Sequence, residues 1–190
     1  NAQRVERNLS GVNWHLWLDR AATWQNDELH LPPVNLKALP VNPPSGGWLA
    51  MAAESERVSV PGVVEEYWQD RLGGDYRGVS WWWTDFTLPA SAKGRRATLH
   101  FESVRQRAEV FLNGRLVGYD VIGNTPFDVD ITGLGKPGAI NRLAVRITDH
   151  GGNFTWYDPF ADSWGRYRMP ISHGFGGISG PVRLTVTDPV

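Results

Sequence analysis

The chain has 190 residues, a typical size for one domain and too few for a (β/α)₈ barrel of about 250 residues. Its 19 basic and 20 acidic residues give a formal charge of −1, so no basic surplus points to a nucleic acid or an anionic membrane as partner. It contains no cysteine, which excludes disulfides, thiolate metal sites and a cysteine nucleophile. No apolar run approaches the roughly 18 residues of a membrane span.

The composition favours strands and turns over helices. There are 21 Gly and 13 Pro, which break helices and build turns. Ten Trp, five Tyr and seven Phe add residue types that favour strands. The sequence therefore predicts an all-β domain.

The first third of the chain predicts short elements around one long loop. Residues 14–19 alternate apolar and polar side chains, which is typical of a half-buried strand. Residues 32–48 hold five Pro and a Gly pair, and predict a loop or an insertion. Residues 49–57 predict one or two helical turns, residues 58–62 a short strand, and residues 63–72 a short helix.

The rest of the chain predicts regularly spaced strands. Asn113-Gly114 lies between apolar runs and is a strong hairpin signal, because a type I′ turn needs positive φ at both central residues. About eight or nine strands with alternating faces predict a jelly-roll β-sandwich of two antiparallel sheets. The residues predicted to be buried between the sheets are Trp82, Phe86, Leu99, Phe101, Val110, Leu112, Phe127, Leu143, Val145 and Leu184.

One segment, residues 149–177, is too long for an ordinary connection and is rich in aromatic side chains. Loops longer than about 15 residues in a compact domain are usually functional or disordered, and the aromatic content argues against disorder. The alternative is a loop that packs on its own domain or on a neighbouring one. The predicted substrate-binding residues are Asp149, His150, Asn153, Trp156, Tyr157 and Trp164.

No catalytic, phosphate-binding or dinucleotide-binding motif is present, so we predict neither a cofactor nor a metal site. His150 and His173 flank the long segment without partners at ligand spacing. Glu65 and Glu66 are predicted to be solvent-exposed rather than a catalytic pair, because adjacent side chains do not face each other on a helix or a strand. Asp128 and Asp130 read as the polar face of one strand rather than as a calcium site.

An ordered series of motifs resembles one enzyme family. In chain order the motifs are Val60-Pro61-Gly62, Tyr76-Arg77-Gly78, Trp81-Trp82, Phe86-Thr87-Leu88-Pro89, Val110-Phe111-Leu112-Asn113-Gly114-Arg115, Pro126-Phe127-Asp128-Val129-Asp130-Ile131-Thr132, Asn141-Arg142-Leu143-Ala144-Val145-Arg146, Gly177-Ile178 and Pro181-Val182-Arg183-Leu184. Their order and spacing resemble the N-terminal sugar-binding domain of glycoside hydrolase family 2, which includes β-galactosidases, β-glucuronidases and β-mannosidases. The family commonly has an aromatic residue and Arg after Gly-Ile, whereas this chain has Ser179 and Gly180.

The resemblance implies a galactose-binding-like jelly roll over residues 58–187, preceded by an opening strand and a Pro-rich insertion in residues 3–57. It implies that residues 1–190 form one sugar-binding domain from a longer enzyme, with no catalytic residue in this chain. The implied partners are a carbohydrate substrate and downstream Ig-like and (β/α)₈ barrel domains, the barrel carrying two catalytic glutamates. In the family, a polar residue at about the place of Asp149 often hydrogen-bonds the terminal sugar.

Two other functions remain open from the residues alone. The chain could be a stand-alone carbohydrate-binding module, or a jelly-roll scaffold without a ligand. Asn1-Ala2 is interpreted either as a tag remnant or as a mature end after export. The location stays open, and a periplasmic or secreted one is favoured over a cytoplasmic one.

Overall fold

The computed structural model describes residues 4–22, 35–37, 41–72, 76–149 and 176–188, with the backbone of residues 163–164 and 167–168. Two antiparallel sheets dominate it. The four-stranded sheet has the order β1-β14-β6-β9 and the six-stranded sheet the order β3-β2-β5-β10-β7-β8. The strands are β1 (Val5–Asn8), β2 (Gly11–Asp19), β3 (Glu56–Val60), β4 (Gly62–Val63), β5 (Gly78–Thr87), β6 (Arg96–Phe101), β7 (Arg107–Leu112), β8 (Arg115–Asp120), β9 (Phe127–Asp130), β10 (Ile140–Asp149), β11 (Ser163–Trp164), β12 (Tyr167–Arg168), β13 (Gly177–Ile178) and β14 (Val182–Thr187).

The core lies between the two sheets, as the alternation predicts. Nine of the ten residues named above are buried, and they belong to one cluster. Phe127 is the exception: it is half-buried near the edge of the four-stranded sheet and stacks on Phe101, with ring centroids 4.9 Å apart. The prediction of a β-sandwich is therefore confirmed.

The predicted hairpin joins β7 to β8. Asn113 has φ of 52° and Gly114 has φ of 81°, so both central residues adopt the positive values that a type I′ turn requires. The turn sets the pairing of Leu112 with Arg115 and of Phe111 with Leu116. The sequence signal and the structure agree here because the turn chemistry is local.

Two α-helices, α1 (Gly47–Glu54) and α2 (Val64–Leu72), and one short 3₁₀ helix (Ala90–Ala92) are present in the described part of the chain. Helix α2 matches its prediction, and its first-turn Glu65 and Glu66 suit the positive end of the helix dipole. Helix α1 begins at Gly47, inside the segment 32–48 that was predicted to be a loop. That boundary was wrong, because the six-stranded sheet offers an apolar surface for this helix.

The outer face of the six-stranded sheet is covered, which the alternation did not predict. Trp81, Trp83 and Phe111 point away from the sandwich core and form a second buried cluster with Met51 of α1. The carboxylate of Asp19 fixes the residues just before α1, since it accepts hydrogen bonds from the backbone N–H and the hydroxyl of Ser45. The same carboxylate accepts the Trp81 indole N–H at 3.2 Å. The sheet is thus buried on both faces along β5.

The outer face of the four-stranded sheet is polar, and His100 lies within it. Its Nδ1 is 2.7 Å from a carboxylate oxygen of Asp128 and its Nε2 is 3.2 Å from Glu102. Arg183 pairs with His100 across the sheet and approaches Glu102 to 3.9 Å. The hydrogen bond to Asp128 raises the pKa of His100 above its usual value of about 6.5, against a smaller opposing effect of burial.

This geometry predicts a pH-dependent contribution of His100 to stability. A pKa raised on folding stabilises the protein fully below the unfolded-state value, and the contribution is lost as pH rises through the folded-state value. The stability difference between the wild type and His100→Gln should therefore be largest below about pH 6.5 and shrink as pH rises through the raised pKa of His100. Urea titrations across this range measure it, with Asp128→Asn as the control that should remove most of the same dependence. A difference that stays constant with pH would show that His100 does not titrate with folding.

Candidate functional site

Asp149 is the last residue of β10, an inner strand of the six-stranded sheet, and lies at the end of the sandwich where this strand stops, which we call the Asp149 edge. Its backbone pairs with Gly78 of β5, and its side chain is almost fully buried, at 3% exposure. It follows Ile147 at an interval of two, so both side chains lie on the sandwich-core face of the sheet. A carboxylate at the end of a strand, facing the core, is held in one position by its surroundings.

The chain returns beside Asp149 at Gly176. A Cβ placed on Gly176 would lie 3.5 Å from the Cβ of Asp149 and 3.7 Å from its Oδ2. Gly177 then exchanges two backbone hydrogen bonds of 2.9 Å with Arg105, and Val64 donates to the Gly176 carbonyl. The two described ends of segment 150–175 are therefore anchored at the same edge of the sandwich.

Gly177 fits this anchor because it has no side chain. A Cβ there would lie 2.4 Å from the carbonyl oxygen of Gly62 and 2.8 Å from the Cα of Val63. Both atoms are backbone and belong to β4, which pairs with β13, so they cannot move without breaking that pairing. The Gly-Ile motif of the resemblance thus has a steric reason in this chain.

A cluster of buried charges lies on the outer face near the same edge. Arg146 donates to Glu109 at 2.8 Å, and Arg107 lies 4.0 Å from the same carboxylate oxygen. Arg146 also contacts the Thr148 hydroxyl at 3.3 Å. All four side chains are essentially inaccessible to solvent. The alternation of β10 predicted Arg146 on the polar face but gave no sign that this face is covered.

Glu65 is not the solvated residue that the sequence predicted. It is half-buried, and its Oε1 accepts the backbone N–H of Tyr76 at 3.0 Å, while Glu66 is exposed. The Tyr76 hydroxyl donates to the Val79 carbonyl at 2.7 Å, and burial raises the pKa of Tyr76. Tyr76 and Glu65 thereby fix the start of β5 next to Gly78, the partner of Asp149. The prediction for Glu65 was wrong because it considered Glu65 and Glu66 only against each other.

The remaining predicted site residues are not tested by these contacts. Trp164 lies in the short strand β11, which pairs with β12 through Trp164 and Tyr167. Its side chain and the residues His150, Asn153, Trp156 and Tyr157 lie outside the described residues. The structure thus locates one predicted substrate-binding side chain, Asp149.

None of the described helices is long and apolar enough to cross a membrane. In the same parts of the chain, no three His, Asp or Glu side chains are grouped so that they could hold a metal ion.

Comparisons with known proteins define the class of this fold. No family model matches the chain. Its fold is similar to part of the β-glucuronidase of Ruminococcus gnavus, with a TM-score of 0.68 at 22% identity over 97% of this chain and 29% of that one. A β-glucuronidase of Faecalibacterium prausnitzii gives a TM-score of 0.61 at 24% identity, over 97% of this chain and 32% of that one.

Curated sequences agree with the structural likeness. The chain is 36% identical over 122 residues to a β-glucuronidase of Formosa agariphila, which covers 64% of this chain and 12% of that protein. It is 42% identical over 74 residues to a β-galactosidase of Thermoanaerobacter pseudethanolicus, covering 38% of this chain and 10% of the relative. The chain spans only about a tenth of the length of these relatives.

These comparisons confirm the resemblance drawn from the motifs. The similarity is to the N-terminal region of glycoside hydrolase family 2 enzymes, and the all-β sandwich is the fold of that region. The matched share is small, as expected for a non-catalytic domain of a longer enzyme.

Proposed function

We propose that this chain is the N-terminal, non-catalytic domain of a longer family 2 glycoside hydrolase that cleaves O-glycosidic bonds. The main support is the combination of a whole-chain fold match with coverage of less than a third of each matched enzyme chain. In this proposal a downstream (β/α)₈ barrel supplies the two catalytic carboxylates, and an Ig-like domain is a further partner. The sandwich supports the barrel and contributes to substrate binding.

The edge at Asp149 is the part of this domain that we place beside the substrate. It carries a buried carboxylate in a fixed position and anchors both described ends of segment 150–175. A carboxylate accepts hydrogen bonds from two sugar hydroxyls, and such charge-assisted bonds are stronger than neutral ones. Asp149 therefore binds and orients a terminal sugar, with help from the aromatic and polar residues of that segment, while the chemistry takes place on the barrel.

The proposal is tested by comparing this chain with its full-length parent protein. The parent should hydrolyse 4-nitrophenyl β-glucuronide or 4-nitrophenyl β-galactoside, whereas the isolated 190-residue chain should show no turnover above a mock preparation. The reason is that the two separated carboxylates of a retaining glycosidase are expected outside this chain.

Two outcomes would contradict the proposal. Turnover by the isolated chain would place catalytic groups within it. A parent sequence without a barrel would instead support the alternative of a carbohydrate-binding module that acts on its own.

We also expect the parent protein to be periplasmic or secreted, and cell fractionation measures its location.

A further inference from the structure

A groove lies on the outer face of the six-stranded sheet, at the end of β10 opposite Asp149. We name it the Trp48 groove. It encloses about 460 Å³, and its lining residues are Trp48, Asp85, Asn113, Gly114, Ile140 and Arg142. They come from helix α1, from β5 and β10, and from the turn of the β7–β8 hairpin.

One wall of the groove carries a fixed pair of opposite charges. Arg142 donates two hydrogen bonds of 2.8 Å to the two carboxylate oxygens of Asp85. The guanidinium carbon lies 4.2 Å from the centre of the Trp83 ring, which holds it in place by a cation–π contact. Both charged side chains remain more than a third exposed, so they keep hydrogen-bonding capacity toward the groove.

Hydrogen bonds also fix the part of the groove that lies next to Arg142. The side-chain oxygen Oδ1 of Asn113 accepts the backbone N–H of Arg142 at 3.0 Å, and its side-chain nitrogen Nδ2 donates to Oδ1 of Asn141 at 2.9 Å. The opposite face of the sheet is packed in the sandwich core. The polar groups of the groove are therefore positioned before any ligand arrives.

The other wall is aromatic. Trp48 is half-buried and meets Trp81 and Phe111 edge-on, with ring centroids 5.4 Å away in each case. Gly114 brings the hairpin close to it, because a Cβ at Gly114 would lie 3.6 Å from the indole nitrogen. Ile140, 68% exposed, extends the apolar lining on the strand side.

We propose that the Trp48 groove is a binding site for a neutral saccharide. An aromatic ring packs against the C–H face of a pyranose, while Asp85 accepts from and Arg142 donates to its neighbouring hydroxyls. The charge pair is compensated, so the groove offers no net electrostatic attraction to a uronate. Rigid side chains lose little conformational entropy on binding, which favours affinity. The choice of a saccharide rests on the proposed function.

The groove is separate from the edge that we place beside the substrate. Arg142 and Asp149 are seven residues apart on β10, which corresponds to roughly 23 Å at about 3.3 Å per residue. The two places also lie on opposite faces of the sheet, because Arg142 and Asp149 are an odd number of residues apart. The groove is therefore a saccharide site of its own, independent of the Asp149 edge.

Nuclear magnetic resonance titration of the 190-residue chain tests this inference. The probes are tetrasaccharides of β-linked galactose, glucose and xylose, with a hexuronate tetrasaccharide as the anionic comparison. At least one neutral probe should shift the Trp48 indole N–H and the amide of Gly114 while leaving Gly176 and Ile178 unshifted. Trp48→Ala should weaken this binding at least about tenfold.

Two further variants separate a loss of saccharide binding from a loss of folding. Trp48→Phe retains most of the packing on Trp81 and Phe111 but shortens the aromatic surface, and should weaken binding without unfolding the domain. Leu49→Ala is the matched control, because Leu49 is 86% exposed on the same helix and does not line the groove. It should bind as the wild type does.

Four results would overturn the inference. These are no binding by any neutral probe at millimolar concentration, tighter binding of the hexuronate, unchanged affinity in both Trp48 variants, or shifts of the groove resonances with protein concentration alone. The last would identify the groove as a contact between copies. A further result, shifts confined to Gly176 and Ile178, would also reject the groove as the binding site but would leave the proposed function standing. Binding in the groove by a parent protein without hydrolase activity would reject only the proposed function.

Discussion

Replacing Asp149 with alanine in the full-length parent enzyme is expected to lower kcat/KM by at least about tenfold. Hydrogen bonds to charged groups contribute roughly 1.5–3 kcal/mol, and about 1.4 kcal/mol corresponds to a factor of ten. Asp149→Asn keeps the size of the side chain but exchanges one acceptor oxygen for a donor, so it should cause a loss in the same direction. Steady-state kinetics with a 4-nitrophenyl glycoside measure both variants.

The fold must stay intact for this result to concern binding. Circular dichroism and thermal unfolding of each variant check that, since Asp149 is buried against the backbone near Gly176. Asp128→Asn is the control, because Asp128 is an exposed carboxylate on the outer face of the other sheet. It should leave kcat/KM unchanged. An unchanged kcat/KM in both Asp149 variants would remove Asp149 from the substrate site.

Glu109→Gln is expected to be the most destabilising of the substitutions considered. Glu109 accepts from Arg146 at 2.8 Å and lies 4.0 Å from Arg107, with all three side chains at 2% exposure or less. Removing one member of a buried ion pair typically costs about 3–5 kcal/mol, because a charge-assisted interaction is lost in a medium of low dielectric. For a domain of this size the melting temperature should fall by roughly 6–20 °C.

An exposed ion pair supplies the comparison for Glu109. Glu56 bonds Arg71 through two contacts of 2.7 Å, and the hydrogen bond to Arg71 lowers the pKa of Glu56. Both side chains are nearly half exposed, so water compensates the loss of either partner. Glu56→Gln should therefore leave the melting temperature nearly unchanged. Equal effects of Glu109→Gln and Glu56→Gln would show that the buried cluster contributes nothing beyond a surface contact.

Local signals predicted the sandwich well. Asn113-Gly114 determines its own turn because the required positive φ values depend on those two residues alone. Likewise, the period-two patterns place Leu99, Val110 and Val145 correctly in the core, since facing direction alternates strictly along a strand.

Signals that depend on distant segments were missed. Alternation assigns Arg146 to one face of β10 but does not tell whether another part of the chain covers that face. The buried cluster around Glu109 was missed for this reason, and so was the packing of Met51 on Trp81. For the candidate site, the sequence predicted Asp149 as a binding residue, and the structure adds that Gly176 lies beside it. A single sequence could not reveal this proximity, because the two residues are far apart along the chain.

The shared anchor of Asp149 and Gly176 makes the intervening segment an exchangeable module. Both anchors are held by their own strands: Asp149 by β5, and Gly177 by Arg105 and β4. Their spacing is thus held by pairings made within the described residues. A graft of twice the length between the same anchors would add only roughly 0.6 kcal/mol of closure entropy. We therefore expect that segments of other lengths and compositions can be grafted between residues 149 and 176. Such grafts would change what the Asp149 edge binds without changes to the sandwich.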